Sequence, residues 1–200
     1  MKELQNLLQQ VATITQKNSE ILNATGGRFN MFRICGVNHY ENTHSAIIAE
    51  LLNPQGTHSL KSELLKAFLS LIDKDFVPTD FNPSNATVYT EYTTDKGRID
   101  ILIKDTNKNA LIIENKIYAA DQYEQLKRYE QFAKKEFKAY QIYYLTLWGN
   151  EATPQSGEGV NYLTISYADT IIRWLDKCIA LAARLPLVRE TLIQYSNHLK

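Results

Sequence analysis

The chain has 200 residues, and its 22 lysines and arginines balance its 22 aspartates and glutamates, so its formal net charge is zero. This length suits one domain with a substantial core, and the neutral total gives no global sign of a polyanionic partner, although it can contain a local basic groove. The start of the chain lacks the features of a signal peptide, no apolar run reaches the roughly 20 residues that span a bilayer, and two cysteines indicate no disulfide framework. We therefore expect a cytoplasmic protein with free thiols and no membrane partner.

The first 80 residues have the pattern of helices. Apolar residues recur at helical spacing near the start of the chain and predict an amphipathic first helix. A second helix is expected to begin near Asn42 or Thr43, either of which could cap HSAIIAELL. The apolar spacing in SLKSELLKAFLSLI predicts a third helix from Ser59.

From residue 86 onward the pattern is that of strands alternating with helices. ATVYTEYTT, RIDILIK and NALIIENK each predict a strand, because they join β-branched or aromatic residues in short runs between turn formers. A strong helix, AADQYEQLKRYEQFAKKEF, precedes the predicted strands AYQIYYLTLW and VNYLTIS. A helix from SYADTI and a last helix from Pro186 close the chain. This order predicts a single α/β domain, with a helical front (1–80) and an α/β/α core with C-terminal helices (86–200) built on a mixed sheet.

The segment GRIDILIKDTNKNALIIENK, residues 97–116, reads as a β-hairpin that carries charges among isoleucines. If its turn is centred on Asn107, Asp100 lies opposite Glu114, with Cβ atoms about 4.5–5.5 Å apart. Lys116 shares the face of Glu114, because side chains alternate along a strand. A shift of one residue in the register would separate these groups.

Two opposed carboxylates repel each other unless a cation lies between them. Oxygen ligands of this kind suit Mg²⁺ or Mn²⁺, which can polarise a phosphoryl oxygen and activate water, while Lys116 could stabilise charge on the phosphate. The pattern therefore favours phosphodiester hydrolysis. The alternative is that Glu-x-Lys is a solvated ion pair on an exposed strand, which is the common use of this tripeptide.

Asp100 followed by Glu114-Asn115-Lys116 resembles the signature of the PD-(D/E)xK nuclease superfamily. Gln125-Leu-Lys-Arg-Tyr129 is similar to the Gln-x-x-x-Tyr motif of its exonuclease-like branches. Glu41-Asn-Thr-His44-Ser45, LLNPQGTHSL and residues 64–69 resemble the front of a bacterial and phage branch. One departure is Ile99-Asp100, where the superfamily has Pro-Asp. The resemblance implies a restriction-endonuclease-like fold with an N-terminal helical extension.

The resemblance also implies roles for individual residues. Asp100 and Glu114 would bind Mg²⁺ or Mn²⁺ together with the backbone carbonyl of Asn115, and Lys116 would be the catalytic lysine. Gln125 and Tyr129 would support the site.

Three further residues have implied or open roles. Glu91, on the strand before Asp100, matches an acid that could bind a second metal or water. Related nucleases have a glutamate on their first helix that serves as an extra metal ligand, and Glu41 is the candidate for it. His44 is a candidate general acid or base, or a phosphate contact, and a capping or packing role remains open for it.

The expected activity is that of a metal-dependent nuclease, endo- or exonuclease, with DNA as the expected partner and a homodimer left open. A nucleic-acid-binding or protein-interaction module on the same fold, without turnover, is the rival interpretation, since the net charge is zero and the sequence contains no obvious DNA-reading element. The spacing of Cys35, His39, His44 and His58 matches no standard structural zinc pattern. A basic cluster along the helix after the hairpin could contact phosphates, or could be the exposed face of that helix. It consists of Lys127, Arg128, Lys134, Lys135 and Lys138.

Overall fold

A computed structural model describes all 200 residues of the chain. The residues form two compact units, Met1–Gly36 and Val37–Lys200. The first unit contains helix α1, Lys2–Thr25, and the short helix α2, Met31–Ile34. Helix α1 ends at Gly26, whose left-handed backbone (φ +67°) lets its N–H donate to the Leu22 carbonyl. No helix of the chain combines the length and hydropathy that a membrane span requires.

The second unit contains the sheet, and its elements follow the predicted order, with one additional short helix, α6, that was not predicted. The helices are α3, Glu41–Leu52; α4, Glu63–Leu69; α5, Gln125–Glu136; α6, Pro154–Gly157; α7, Ile172–Leu181; and α8, Pro186–Leu199. The strands are β1, Thr87–Thr94; β2, Gly97–Lys104; β3, Asn109–Lys116; β4, Ala139–Thr146; and β5, Tyr162–Ser166.

The five strands form one mixed sheet in the order β1-β2-β3-β4-β5. The pairs β1–β2 and β2–β3 are antiparallel, while β3–β4 and β4–β5 are parallel. The parallel pair β3–β4 is joined through α5, as a parallel connection requires a crossover. The predicted α/β class with a central mixed sheet is confirmed.

Helices cover both faces of the sheet, which explains why β3 is buried along almost its whole length. Helix α5 packs on the face that carries Leu102 and Ile112, where its own Leu126 and Tyr129 are buried. On the opposite face the Phe68 ring of α4 contacts the rings of Tyr143 and Trp174. Side chains alternate along β3, so its even-numbered residues point toward α5.

Several helix boundaries differ from the predicted ones. Helix α3 begins at Glu41 with Tyr40 at the N-cap and no capping side chain, so neither Asn42 nor Thr43 is the cap. Helix α4 begins only at Glu63, because Ser59 and Lys61 have positive φ angles of 61° and 50°. A left-handed residue cannot continue a right-handed helix. The last predicted helix but one begins with a π-helical turn, Tyr167–Ile171, before α7.

Candidate active site

The β2–β3 hairpin brings Asp100 and Glu114 to neighbouring positions on adjacent strands. Its paired residues run from Lys104↔Ala110 to Ile101↔Ile113, and one further step in this register sets Asp100 opposite Glu114. The predicted register is confirmed. The two acids and Lys116 therefore lie on the face of the sheet that α5 covers.

The turn of the hairpin is held by the side chain of Asp105, and this fixes the register. Its Oδ1 accepts hydrogen bonds from the backbone N–H groups of Asn107 and Asn109, both at 2.9 Å. Its Oδ2 accepts from the Asn82 N–H at 2.8 Å, which ties the turn to the preceding loop. Lys108 adopts φ +60°, as a tight turn of this kind requires at one residue.

The regular strand pairing is interrupted at Asp100. Its Oδ2 accepts a hydrogen bond of 2.8 Å from the Asn115 N–H, so a side chain takes the place of a backbone partner. On the other side, the β1–β2 pairs pass from Thr90↔Ile101 to Tyr92↔Ile99 and omit Glu91. Glu91 has φ +52°, a conformation that is uncommon for a residue with a side chain and that clusters at functional sites.

Glu114 is the most buried acid of the group, with a relative exposure of 1%. Its Oε1 accepts from the Lys116 ammonium at 2.8 Å and from the Gln125 side-chain amide at 2.6 Å. Its Oε2 is buried and has no hydrogen-bond partner. An unpartnered carboxylate oxygen in a buried position is costly unless a cation or a proton completes it.

The electrostatics of the site follow from burial and from the short distances between charges. Burial, reinforced by the charge of Asp100, raises the pKa of Glu114 to about 8. Burial also raises the pKa of Asp100 to about 6, and the Asn115 N–H and Lys116 oppose that shift. Burial disfavours the Lys116 ammonium, but the Glu114 and Asp100 carboxylates outweigh it and raise the pKa of Lys116. Opposing environments of this kind are typical of functional sites.

Helix α5 contributes two of the predicted residues to this cluster. Gln125 is its first residue, and the Gln125 amide that binds Glu114 also lies 3.2 Å from the Tyr129 hydroxyl. The Tyr129 hydroxyl in turn donates to the Arg98 carbonyl on β2 at 2.6 Å. The i, i+4 spacing thus places both side chains on the face of α5 that covers the acids.

Glu91 lies near Asp100, and its negative charge contributes to the raised pKa of that residue. One carboxylate oxygen, Oε2, forms an ion pair of 2.7 Å with Arg98. The other, Oε1, is buried and has no hydrogen-bond partner. The structure therefore places this predicted acid beside the pair, and leaves one of its oxygens uncommitted.

Glu41 contacts the end of β3 through the backbone. Its Oε1 accepts hydrogen bonds from three successive N–H groups, those of Ile117, Tyr118 and Ala119, at 2.7, 3.1 and 3.0 Å. This oxygen is therefore committed to the segment that follows Lys116. Metal binding by Glu41, which the resemblance implies, would fall to its Oε2.

Asn115 connects β3 to the opposite face of the sheet. Its amide nitrogen donates to the Glu41 carbonyl at 3.1 Å and to the Ser45 hydroxyl at 3.0 Å, and its amide oxygen accepts from the Tyr167 hydroxyl at 3.0 Å. Ser45 and Tyr167 are supporting residues that the sequence did not predict. Ser45 could have been found from its position one helical turn after Glu41, whereas nothing in the sequence links Tyr167 to residue 115.

His44 lies on the same helix as Glu41 but is directed into the protein. It is 1% exposed, its Nε2 lies 3.1 Å from the Val37 carbonyl, and its Nδ1 lies 2.8 Å from the Tyr195 hydroxyl. A carbonyl only accepts, so Nε2 carries the proton and Nδ1 accepts from Tyr195. Both ring nitrogens are therefore engaged within the fold, and this arrangement favours the packing role over contact with a phosphate.

The basic cluster, whose last residue Lys138 lies beyond the end of α5, is largely paired with neighbouring acids. Lys134 pairs with Glu130 at 2.9 Å, and Lys138 pairs with Asp80 at 2.7 Å. These pairs are exposed and do not exclude phosphate contacts, but they do not form an unpaired positive surface.

The donor set at the hairpin fits a small divalent cation. The Asp100 carboxylate and the buried free oxygen of Glu114 are hard oxygen ligands of the kind that Mg²⁺ and Mn²⁺ prefer. No group of three or more His, Cys, Asp or Glu side chains converges on a common point. A metal held by Asp100 and Glu114 would therefore need backbone, water or substrate oxygens to complete its coordination.

Comparison with known proteins agrees with this geometry. A family model for the PD-(D/E)XK nuclease superfamily matches residues 29–197, which include the whole sheet and every residue of the cluster. No curated protein and no solved structure matches the chain. Because the family model covers most of the chain, the protein belongs to the PD-(D/E)XK nuclease superfamily.

Proposed function

We propose that the protein is a metal-dependent nuclease that hydrolyses phosphodiester bonds, with DNA as its substrate. The observation that carries the proposal is the convergence of Asp100, Glu114 and Lys116 at one end of the β2–β3 hairpin. Each of these residues is partly or wholly buried and has a perturbed pKa, which a solvated surface ion pair would not explain.

Asp100 and Glu114 would hold a divalent cation, Mg²⁺ or Mn²⁺, with the Asn115 carbonyl as a further ligand. When bound, such a cation acts as a Lewis acid on the phosphate and promotes ionisation of water. Glu91 and Glu41 are candidates for additional contacts, since each has one carboxylate oxygen outside the hydrogen bonds and ion pair described above.

Lys116 would act on the phosphate. Its ammonium is held at 2.8 Å from Glu114 and is only 10% exposed, so it carries its charge at a fixed position in a poorly hydrated environment. A fixed positive charge at such a place stabilises negative charge that develops on phosphate oxygens.

Gln125 and Tyr129 would keep the acids in position. The amide of Gln125 donates to Glu114, and Tyr129 is anchored to β2 by its bond to Arg98. The two side chains therefore link α5 to both strands that carry the acids, which preorganises the site.

The test is nuclease activity of purified protein on double- and single-stranded DNA and on RNA, with Mg²⁺, with Mn²⁺ and with a chelator. We expect cleavage of DNA that requires the cation. Asp100→Asn and Lys116→Met should each lower the rate by about two to four orders of magnitude.

Asp95→Asn and Lys96→Met are matched controls, because both residues are exposed in the β1–β2 turn and the charge changes are the same. Equal activity of all five proteins would reject the proposal. Binding of Mn²⁺ or DNA without cleavage under every condition would instead support the binding module.

A further inference from the structure

Helix α1 carries an apolar face that is not buried. It is 24 residues long and contains no buried residue. Its apolar side chains, Leu4, Leu7, Leu8, Val11, Ile14, Ile21 and Leu22, are between 39% and 61% exposed. A soluble helix of this length normally buries such a face, since isolated helices are only marginally stable in water.

The apolar positions of α1 follow the spacing of a coiled coil. Leu4, Leu7, Val11, Ile14 and Ile21 are separated by alternating steps of three and four residues, with Asn18 at the remaining position of the series. These are the first and fourth positions of three heptads, which form the seam between two paired helices. We infer that α1 pairs with α1 of a second copy of this chain, in a parallel two-stranded coiled coil.

The charges of α1 suit an identical partner. The helix contains two lysines and two glutamates in its 24 residues, so two copies carry no net charge and do not repel each other. In a parallel pair, the residues beside the seam would contact each other across the two copies. Glu3 of one copy would lie near Leu8 of the other, and Lys17 near Leu22, so no like charges meet. A membrane surface is disfavoured, because helices that lie on membranes have a strongly basic polar face.

The area of the seam is sufficient for a specific contact. Seven apolar side chains, each about half exposed, offer on the order of 500–700 Å² per copy, so a pair would bury about 1,000–1,400 Å², near the lower limit of specific interfaces. We therefore expect a reversible dimer whose population depends on concentration.

Asn18 determines the orientation of the pair. In a parallel arrangement the two Asn18 side chains face each other and can form an amide–amide hydrogen bond. In an antiparallel arrangement with matched ends Asn18 faces Leu7, which would leave a buried amide unpaired at a cost of about 1–3 kcal/mol. The antiparallel arrangement offers a Glu3–Lys17 ion pair in return, but an exposed pair contributes at most about 1 kcal/mol.

The first experiment measures the mass of the full chain in solution by light scattering and sedimentation over a range of concentrations. We expect wild type to reach twice the chain mass, and Leu7→Glu/Ile14→Glu to remain at one chain mass throughout. Gln9→Glu/Ala12→Glu is the matched control, because both residues are exposed and lie outside the seam. The control should dimerise like wild type.

The following outcomes would overturn the inference. Wild type could remain a monomer at all concentrations, or the seam variant could dimerise as well as wild type. The seam variant could also lose thermal stability while the mass of both proteins stays that of one chain, which would mean that α1 packs within its own chain. Binding of a monomeric wild type to vesicles of mixed neutral and anionic lipid would likewise count against it.

The second experiment tests the orientation with Thr25→Cys in a Cys35→Ser background, which removes the exposed native thiol. Residue 25 continues the seam beyond Ile21, so a parallel pair brings the two introduced thiols together and should form a covalent dimer on mild oxidation. An antiparallel pair would place them at opposite ends. Dimerisation without cross-linking would overturn the parallel arrangement.

Discussion

At the scale of single residues, Glu114 shows how the site depends on a few hydrogen bonds. Both donors to this side chain, Lys116 and Gln125, use the same oxygen, Oε1. The second oxygen is left without a partner in a buried position. The side chain is therefore held firmly on one side and has one oxygen to offer, which is the arrangement that a metal ligand needs.

Two buried tyrosines allow a role in the site to be distinguished from a role in stability. Tyr129 and Tyr143 are both buried, and each donates a hydrogen bond of 2.6 Å to a backbone carbonyl, on opposite faces of the sheet. We expect Tyr129→Phe and Tyr143→Phe to lower the free energy of unfolding by similar amounts, about 1–1.5 kcal/mol. Only Tyr129→Phe should lower nuclease activity, by about tenfold or more, because only Tyr129 contacts Gln125.

A double variant tests whether Tyr129 acts through Gln125. If Tyr129 acts through Gln125 on Glu114, activity in Tyr129→Phe/Gln125→Ala should be close to that of Gln125→Ala alone, since coupled residues are not additive. Urea unfolding and initial cleavage rates measure the two effects separately. Equal loss of activity in Tyr143→Phe would contradict a specific role for Tyr129.

His44 predicts a dependence of stability on pH. Burial, followed by the charge of His198, lowers the pKa of His44 to about 4 from its usual value of 6.5. The folded state thus favours the neutral ring, so the contribution of His44 is complete above pH 6.5 and is lost as the pH falls toward 4. Tyr167 and Tyr195 also face the ring but do not titrate in this range.

We expect His44→Gln to reveal this contribution as a difference from wild type. Glutamine can donate to the Val37 carbonyl and accept from Tyr195, but it does not titrate. The advantage of wild type over the variant should shrink by about 2 kcal/mol between pH 7.5 and pH 5, as measured by urea unfolding at both pH values. A constant difference across this range would show that His44 is not held neutral.

At the scale of elements, the hairpin was predictable because its signals are local. The turn DTNKN places Asn107 at the centre, Asp105 holds the turn, and the alternation of side chains then decides which residues share a face. Helix starts were less predictable. Helix α5 begins at Gln125 because Glu124 adopts φ +50°, and apolar spacing does not reveal the backbone angle of a single residue.

Contacts between elements that are distant in sequence could not be predicted from local sequence patterns. The resemblance implied Glu41 as a metal ligand. Its carboxylate, however, accepts hydrogen bonds from three N–H groups that are more than 70 residues later in the sequence. Such a bond depends on how α3 packs against the end of β3, which no local pattern encodes. In the structure Glu41 therefore holds the backbone of the segment after Lys116, a role that the sequence did not suggest.

We expect Glu41→Ala to loosen the segment that follows β3. Three hydrogen bonds to one carboxylate oxygen are lost, so the free energy of unfolding should fall by about 2–3 kcal/mol and the amides of Ile117, Tyr118 and Ala119 should exchange faster with solvent. Glu41→Gln keeps an accepting oxygen and should retain most of this protection.

Glu63→Ala is the matched control for Glu41→Ala, because Glu63 is also the first residue of its helix but pairs only with exposed Lys66. Hydrogen exchange and urea unfolding provide the readouts. Unchanged exchange of the three amides in Glu41→Ala would contradict the role of this carboxylate. Calorimetry with Mn²⁺ on Glu41→Gln tests the metal-ligand role separately, since only that role predicts weaker binding.

At the scale of the whole molecule, the two compact units differ in how much of the protein they contain. The unit Val37–Lys200 holds all five strands and the entire candidate site. The unit Met1–Gly36 holds α1, which the sequence predicted as an amphipathic helix and the structure shows without a buried face. Amphipathicity predicted the helix correctly, but an apolar face alone does not tell what will cover it.

This division predicts that α1 is dispensable for folding and for the site. Residues 2–24 include no buried side chain. At concentrations where wild type is monomeric, the shortened chain should melt within about 2 °C of wild type, and its nuclease rate should be within about twofold, because catalysis depends on differential interactions at the site itself. Thermal unfolding by circular dichroism and cleavage assays on matched samples measure both quantities. A large loss of stability in the monomer would show that α1 packs on the rest of the chain, whereas loss of activity with full stability would mean that α1 contributes to substrate binding.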